Sequence, residues 1–435
     1  MFCKIHQQIN ILKNIFKKRK ELIHSETIQE EKLLVLSFFK WIFLSLCIGV
    51  TAGLAGALFS ISVHFLTHLR LNHYFLIYFL PLGGIIIVFL YQICGIKKPQ
   101  GTDLVIDAIR SPEPVPFVMA PLIFIGSCIT HLLGGSAGRE GAALQIGGSL
   151  GYQVGTKFKL DEKDLHLATM CGMSACFSAL FGTPVAAVIF VMEIVTVGSM
   201  YYSALVPCTI ASITGKIIAA QFGISPTSFT IKGLPDFQII SILQVLGLAA
   251  ACAVISLFFC FVMHKTSQIY QKWFLNPYYR ILAGSAIILL LSLVTGRDYL
   301  GLSENILKSA FSGQIRPEAF FFKLMITAFT LGCGFKGGEI VPTFVVGATF
   351  GNFLGTIIGL DPSFAAAIGF LCVFCGVTNC PISSLVLGVE IFGAKGFLFY
   401  FFAIGISYML SGYSGIYQKQ KILYAKHKLL FQAQK

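Results

Sequence analysis

Four stretches of this chain, around residues 134–151, 171–193, 331–351 and 372–392, are apolar yet dense in glycine, with Pro184, Pro342 and Pro381 near the starts of apolar segments. None makes the unbroken run of about 20 residues that a membrane helix needs. Lipid cannot satisfy free backbone N–H and C=O groups, so interrupted backbone survives at membrane depth only where protein buries it or where it lines a cavity. These four stretches are the expected working centre. Uninterrupted apolar runs at roughly 34–66, 75–95, 238–264 and 278–295 are long enough to span. The 435 residues are 56% hydrophobic and only 12% charged, about half the charge of a soluble domain, with a mean hydropathy of +0.80. That composition excludes a soluble enzyme, a disordered chain and a nucleic-acid binder.

The broken stretches repeat. At an offset of 200 residues Gly147 and Gly151 fall on Gly347 and Gly351, with Ser149 on Thr349 and Leu150 on Phe350. At an offset of 197 the run from Pro184 to Glu193-Ile194 falls on that from Pro381 to Glu390-Ile391, with the same Pro-to-Glu spacing. Close packing of glycine-rich helices could produce one such match; two in order argue for duplication. Duplicated halves with Gly/Pro-interrupted helices at corresponding positions are the signature of a transporter whose site lies at the repeat interface. The expected divisions are a basic segment at 1–33, a first membrane repeat at 34–232, a second at 233–412, and a final segment with a basic tail at 413–435. The stretch 223–237, with Pro226 and Pro235, is the expected linker.

The formal net charge is +13, and its densest runs lie at the ends. Lys4, Lys13, Lys17, Lys18, Arg19, Lys20 and Lys32 stand in the first segment; Lys419, Lys421, Lys426, Lys428 and Lys435 stand in the last. By the positive-inside bias both termini are expected in the cytoplasm, the number of crossings is even, and the membrane is the partner of the basic ends. The basic start runs into more lysines rather than an apolar core and cleavage site, so no signal peptide is expected. Thirteen cysteines lie mostly in apolar stretches, where a thiol behaves as a small hydrophobe. Disulfides are not expected. Cys372, Cys375 and Cys380 read as buried packing rather than metal ligands, and His64 and His68, at i, i+4 spacing, as an interfacial helix end. No metal or cofactor is expected.

The segment with most chemistry runs from Gly134 to Gly147 and holds Arg139 and Glu140 among glycines on the approach to an apolar helix. Ionisable residues inside membrane segments are costly and functional by default. Adjacent residues on a helix do not face one another, so a bridge between the two is not expected. Glu140 stands near a helix N-terminus, where free N–H groups attract an anion or a carboxylate. Ionised, it can fill such a site itself; protonated, it vacates it. The matching segment, Gly332 to Gly347, places Glu339 before a helix whose first turn suits Pro342. The competing role for Glu339 is capping its helix or pairing with Lys336. A third helix start is offered at Gly101-Thr102-Asp103, with Thr102 supplying a hydroxyl and Asp103 a cap. If the three N-termini converge, they make an anion site.

Gly138-Arg-Glu-Gly141 followed by Gln145-Ile-Gly-Gly, then Phe181-Gly-Thr-Pro-Val-Ala, then Gly337-Gly-Glu-Ile-Val-Pro342 resemble the signature segments of the CLC family of chloride channels and anion/proton antiporters. The likeness runs in order from about Leu34 to Tyr417. It implies an all-α integral membrane protein, an inverted repeat of tilted and broken helices, in a homodimer with one anion path per protomer. Glu140 would be the gating, proton-carrying glutamate, with Thr102, Gly138, Arg139, Gly141, Ile340 and Val341 around the anion. Tyr417 or nearby Tyr413 would present its hydroxyl to it.

Gly101-Thr-Asp-Leu replaces the chloride-type Gly-Ser-Gly-Ile-Pro, and Gly338-Glu-Ile-Val-Pro replaces Gly-Ile-Phe-Ala-Pro. The inner proton glutamate of chloride/proton exchangers would fall at Ile194. These features resemble the fluoride-exporting branch, which exchanges fluoride for protons; Glu339 would then supply the second acidic group. Thr102 stands where that branch usually carries an amide or a thioether, and Val341 where it often carries Thr. A small, strongly hydrated anion needs many donors to replace its water, and the same donors hold chloride. A chloride/proton exchanger or passive chloride channel on this scaffold is the alternative expectation. No His-Glu-x-x-His, Gly-x-Ser-x-Gly or Walker A pattern suggests an intramembrane enzyme.

Overall fold

The computed structural model describes residues 2–96, 100–111, 113–313 and 315–426, with side chains from residue 30 onward. The first-segment lysines below that number, and Lys428 and Lys435, lie outside the described side chains. The chain is almost entirely helical. One series comprises α1 Phe2–Asn72, α2 Leu80–Ile93, α3 Asp103–Ala108, α4 Met119–Leu132, α5 Glu140–Lys157, α6 Glu162–Phe181, α7 Pro184–Ile194 and α8 Leu205–Gln221. A second repeats it in order: α9 Ile239–Trp273, α10 Pro277–Thr295, α11 Glu304–Ser312, α12 Ala319–Cys333, α13 Ile340–Ile358, α14 Pro362–Thr378, α15 Pro381–Phe392 and α16 Phe397–Leu410. Seven helical stretches among the described residues are long and apolar enough to cross a membrane, including Glu30–Asn72, Ile239–Trp273 and Pro277–Thr295.

The expected interruptions fall where the chain chemistry puts them. Gly182 ends α6 in the left-handed region at φ 72°, and Pro184 opens α7. Asn379 ends α14 the same way, and Pro381 opens α15. At their other ends Asp161 accepts from the Asp164 N–H, and Asp361 from those of Ser363 and Phe364, caps worth about 1 kcal/mol each. The repeated glycines serve packing: a Cβ on Gly147 would lie 2.2 Å from the Gly172 carbonyl oxygen, and one on Gly347 2.4 Å from that of Gly369. Thus α5 meets α6, and α13 meets α14, backbone to backbone. Close packing and duplication, weighed as rivals in the sequence, act together.

Two reciprocal contacts join the series. Gly138 and Gly338 exchange backbone hydrogen bonds, 2.7 Å in each direction. Glu193, at the end of α7, accepts from the Ile382 and Ser383 N–H groups at 3.1 and 2.8 Å, opening α15. Glu390, near the end of α15, accepts from the Val185 and Ala186 N–H groups at 3.1 and 2.8 Å, opening α7. Each carboxylate sits on the positive end of the other's helix, as a two-fold relation with inverted direction requires.

The last described residues form a strap. β2 Lys421–Ile422 pairs in parallel with β1 Thr196–Val197. Lys426 donates to Asn379 Oδ1 at 2.7 Å and to the Tyr408 carbonyl at 2.9 Å. All twelve cysteines from Cys47 to Cys380 carry free thiols, and Cys372, Cys375 and Cys380 are fully buried.

Candidate functional site

Glu140 is the first residue of α5 and is 1% exposed. The loop before it is anchored through Ser136, whose N–H donates to Thr330 Oγ1 at 3.1 Å and whose hydroxyl lies 2.9 Å from Thr327 Oγ1. Lys323, fully buried on α12, donates to the same hydroxyl at 2.9 Å and to the Gly301 carbonyl at 2.7 Å. The Gly138–Gly338 exchange fixes the next step. Glu140 Oε2 accepts from the Arg139 N–H at 3.0 Å, and Oε1 stands 3.4 Å from Arg139 Nε. The bridge between these neighbours, not expected from helical spacing, does form. Arg139 is the N-cap, so its side chain is free of the helical geometry that keeps adjacent residues apart. Its guanidinium also donates to Ser60 on α1 at 3.3 Å.

Glu339 is the N-cap of α13 and makes no capping bond. Its Oε2 is buried and has no hydrogen-bond partner. Lys336 does not pair with it: the ammonium lies over the Tyr91 ring, 4.6 Å from the centroid. Glu339 turns toward the first series, since a Cβ on Gly141 would stand 3.2 Å from Glu339 Oε2 and 3.3 Å from Thr102 Oγ1. Thr102 is buried; its hydroxyl donates to the Gly141 carbonyl at 3.4 Å and accepts from Gln145 Nε2 at the same distance.

The starts of α5 and α13 and the residue before α3 therefore meet, as expected if three N-termini converge. Gly138, Arg139, Glu140, Gly141, Thr102 and Glu339 come together there, and Ile340 and Val341 open α13 beside them, both buried. Asp103 departs from its expected role. It makes no bond to its own helix and instead accepts from the N–H groups of Gln418 and Lys419 at 3.3 and 3.2 Å. This contact holds Tyr417, which is buried with a hydroxyl lacking any hydrogen-bond partner. That hydroxyl's electrostatic neighbours include Glu339, Asp103 and Glu140. Tyr413 is 40% exposed, and its hydroxyl accepts from the Lys426 N–H.

Two cavities reach the junction. One, of about 750 Å³, is lined by Ser60, His64, Arg139, Glu140, Val341 and Phe344. The other, of about 420 Å³, is lined by Gly101, Asp103, Gln145, Lys336, Glu339 and Gln418. Each carboxylate thus faces its own cavity, with the paired glycine loops between. His64 and His68 both stand on the wall of the larger one. Among the described residues no cluster of His, Cys, Asp and Glu has metal-binding geometry.

Sequence reasoning missed Lys323 and gave Gln145 and Lys336 no role at the anion site. Gln145 and Lys336 stood inside the site segments, one helical turn after Gly141 and three residues before Glu339; Lys323 lies outside them and enters the site only through the fold.

The comparisons agree with this geometry. The family described as "Voltage gated chloride channel" matches residues 82–412. A "Chloride/fluoride channel protein" of Pseudomonas syringae pv. tomato is 33% identical over 396 residues, covering 89% of this chain and 88% of the relative. A "H(+)/Cl(-) exchange transporter ClcA" of Vibrio cholerae is 24% identical, covering 81% and 82%. The crystal structure of a CLC-type fluoride/proton antiporter superposes with a TM-score of 0.85 at 32% identity, covering 88% of this chain and 98% of that one. A slow cyanobacterial Cl-/H+ antiporter shares the fold, with a TM-score of 0.71 at 18% identity. With an inverted repeat, a buried carboxylate at each of two matching helix starts and matches that run nearly end to end, this multi-pass membrane protein belongs to the voltage-gated chloride channel family.

Proposed function

We propose that this chain is a secondary transporter that exports fluoride in exchange for protons. The observation that carries this reading is the pair of buried carboxylates, Glu140 and Glu339, at the starts of matching helices, each facing its own cavity. Glu140 alternates between filling the anion site and carrying a proton. Glu339, with one oxygen unbonded, supplies the second acidic group, since Ile194 is apolar. The anion is held by backbone N–H groups of Arg139, Gly141, Ile340 and Val341 and by the hydroxyls of Thr102 and Tyr417; Gly138, expected among these donors, instead spends its N–H on the Gly338 carbonyl and positions the loop. The 33% identical relative is a chloride/fluoride channel protein and the 32% identical structure a fluoride/proton antiporter, which supports the choice of anion.

The reading places the chain in a cytoplasmic membrane, as a homodimer in a lipid bilayer, with halves dividing near 232/233. It puts both termini in the cytoplasm. Supporting a common face, the end of α5 contacts Phe43 near the start of the first span through Phe158 and the segment after α3 through Gln153 and Val115. That same α3 region binds the C-terminal strap through Asp107 and Lys419 at 2.9 Å. The smaller cavity, bounded by Gln418 and Lys419, is then the cytoplasmic one.

A chloride/proton exchanger or passive chloride channel is the second reading, favoured by the hydroxyl at Thr102. Proteoliposomes loaded with equal fluoride and chloride decide between them when anion efflux and internal pH are recorded together. Fluoride efflux with proton uptake, faster than chloride efflux, is expected; equal rates without a pH change would overturn the proposal.

A further inference from the structure

Lys336 lies three residues before Glu339 on the wall of the smaller cavity. Its backbone N–H donates to Thr130 Oγ1 at 3.2 Å. Its stem packs so tightly on α4 that a Cβ on Gly126 would stand 2.9 Å from Lys336 Cγ. The ammonium rests over Tyr91 and makes no ion pair or hydrogen bond with any described residue. An aromatic face fixes a cation in place without cancelling its charge, as a carboxylate would. The nearby anionic groups are otherwise engaged or turned away: Asp103 is taken by the strap's N–H groups, and Glu339 points to Gly141 and Thr102. Lys419 is held by Asp107. Among the described residues on this wall, Lys336 is thus a fixed cation without a carboxylate bound to it, beside the anion junction. In a confined, low-dielectric site a unit charge attracts an oppositely charged ion far more strongly than in bulk water.

We infer that Lys336 is the capture residue for small inorganic anions in this cavity, holding the ion before it passes to the junction formed by Glu339, Thr102 and Gly141. The inference rests on the proposed fluoride transport. Lys336 does not belong to the proton-carrying pair; it sets how much anion the junction sees.

The test uses the full-length protein in proteoliposomes and initial fluoride efflux against fluoride concentration. Lys336→Met is expected to raise the half-saturating fluoride concentration about tenfold, while maximal rate and proton-to-fluoride ratio change little. Lys336→Arg, which restores a cation over Tyr91, is expected to recover most of the loss. Lys336→Cys provides a variant whose charge is changed after folding. An aminoethyl methanethiosulfonate reagent should restore capture, and the sulfonatoethyl reagent should weaken it further, against wild-type protein treated identically. Unchanged half-saturation in Lys336→Met, or equal effects of the two reagents, would overturn the inference. Loss of maximal rate in every variant, with no rescue by Arg or by the positive reagent, would mark Lys336 as structural and also overturn it. Wild-type protein that moves no fluoride would instead defeat the transport reading beneath it.

Discussion

The starts of α5 and α13 are copies of one backbone design carrying different chemistry. Each follows a glycine loop, the loops exchange matched hydrogen bonds, and each presents an acidic side chain at the N-terminus. Glu140 has a partner at each oxygen, a neighbouring N–H at one and a guanidinium at the other, and it faces the larger cavity. Glu339 is bonded by nothing at Oε2 and leans across the junction toward the first series. Symmetry supplies two acidic helix starts at one meeting point; the departure from symmetry gives them different partners and different cavities.

The comparison breaks first at the carboxylates. Glu140→Gln should cut proton movement about a hundredfold or more, read as the pH change accompanying fluoride efflux, while leaving some uncoupled anion movement. Glu339→Gln should reduce fluoride efflux by roughly tenfold. Equal consequences for both substitutions would show that the asymmetry seen at Oε2 has no functional weight.

A smaller effect tests the shared scaffold. Gly147→Ala and Gly347→Ala each push a methyl against a facing carbonyl and should each cost about 1–3 kcal/mol, measured as lowered thermal stability in detergent. Similar losses support equivalent helix pairs; a loss at only one would separate the halves. The smallest effect is expected at the exchanged caps. Glu193→Gln and Glu390→Gln should each lower stability by about 0.5–2 kcal/mol, and the larger loss belongs to Glu193, which also accepts from the Ser383 hydroxyl.

Much of the fold was legible because lipid allows so few structures. Unbroken apolar runs became long helices, and Gly182 with Pro184 or Asn379 with Pro381 marked the breaks. Glu140, Glu339 and Thr102 were visible as ionisable or hydroxyl groups beside glycine. Their convergence was not. It depends on contacts between residues about 200 apart, such as Gly138 with Gly338, which no local pattern encodes. Asp103 shows the limit most plainly: its sequence position says helix cap, but its donors come from the far end of the chain. The Arg139–Glu140 bridge was missed because spacing rules assume both residues lie on the helix.

That long-range contact has a consequence for biosynthesis. Asp103 and the amide it binds at Gln418 are separated by 315 positions, and translation at about 5–20 residues per second takes roughly 15–60 s to bridge them. Throughout that interval the inserted helices exist without the piece that carries Tyr417. The ribosome therefore delivers the partner of Asp103 only after all sixteen described α-helices, so that a polypeptide terminated before Gln418 lacks the contact that holds Tyr417 in place.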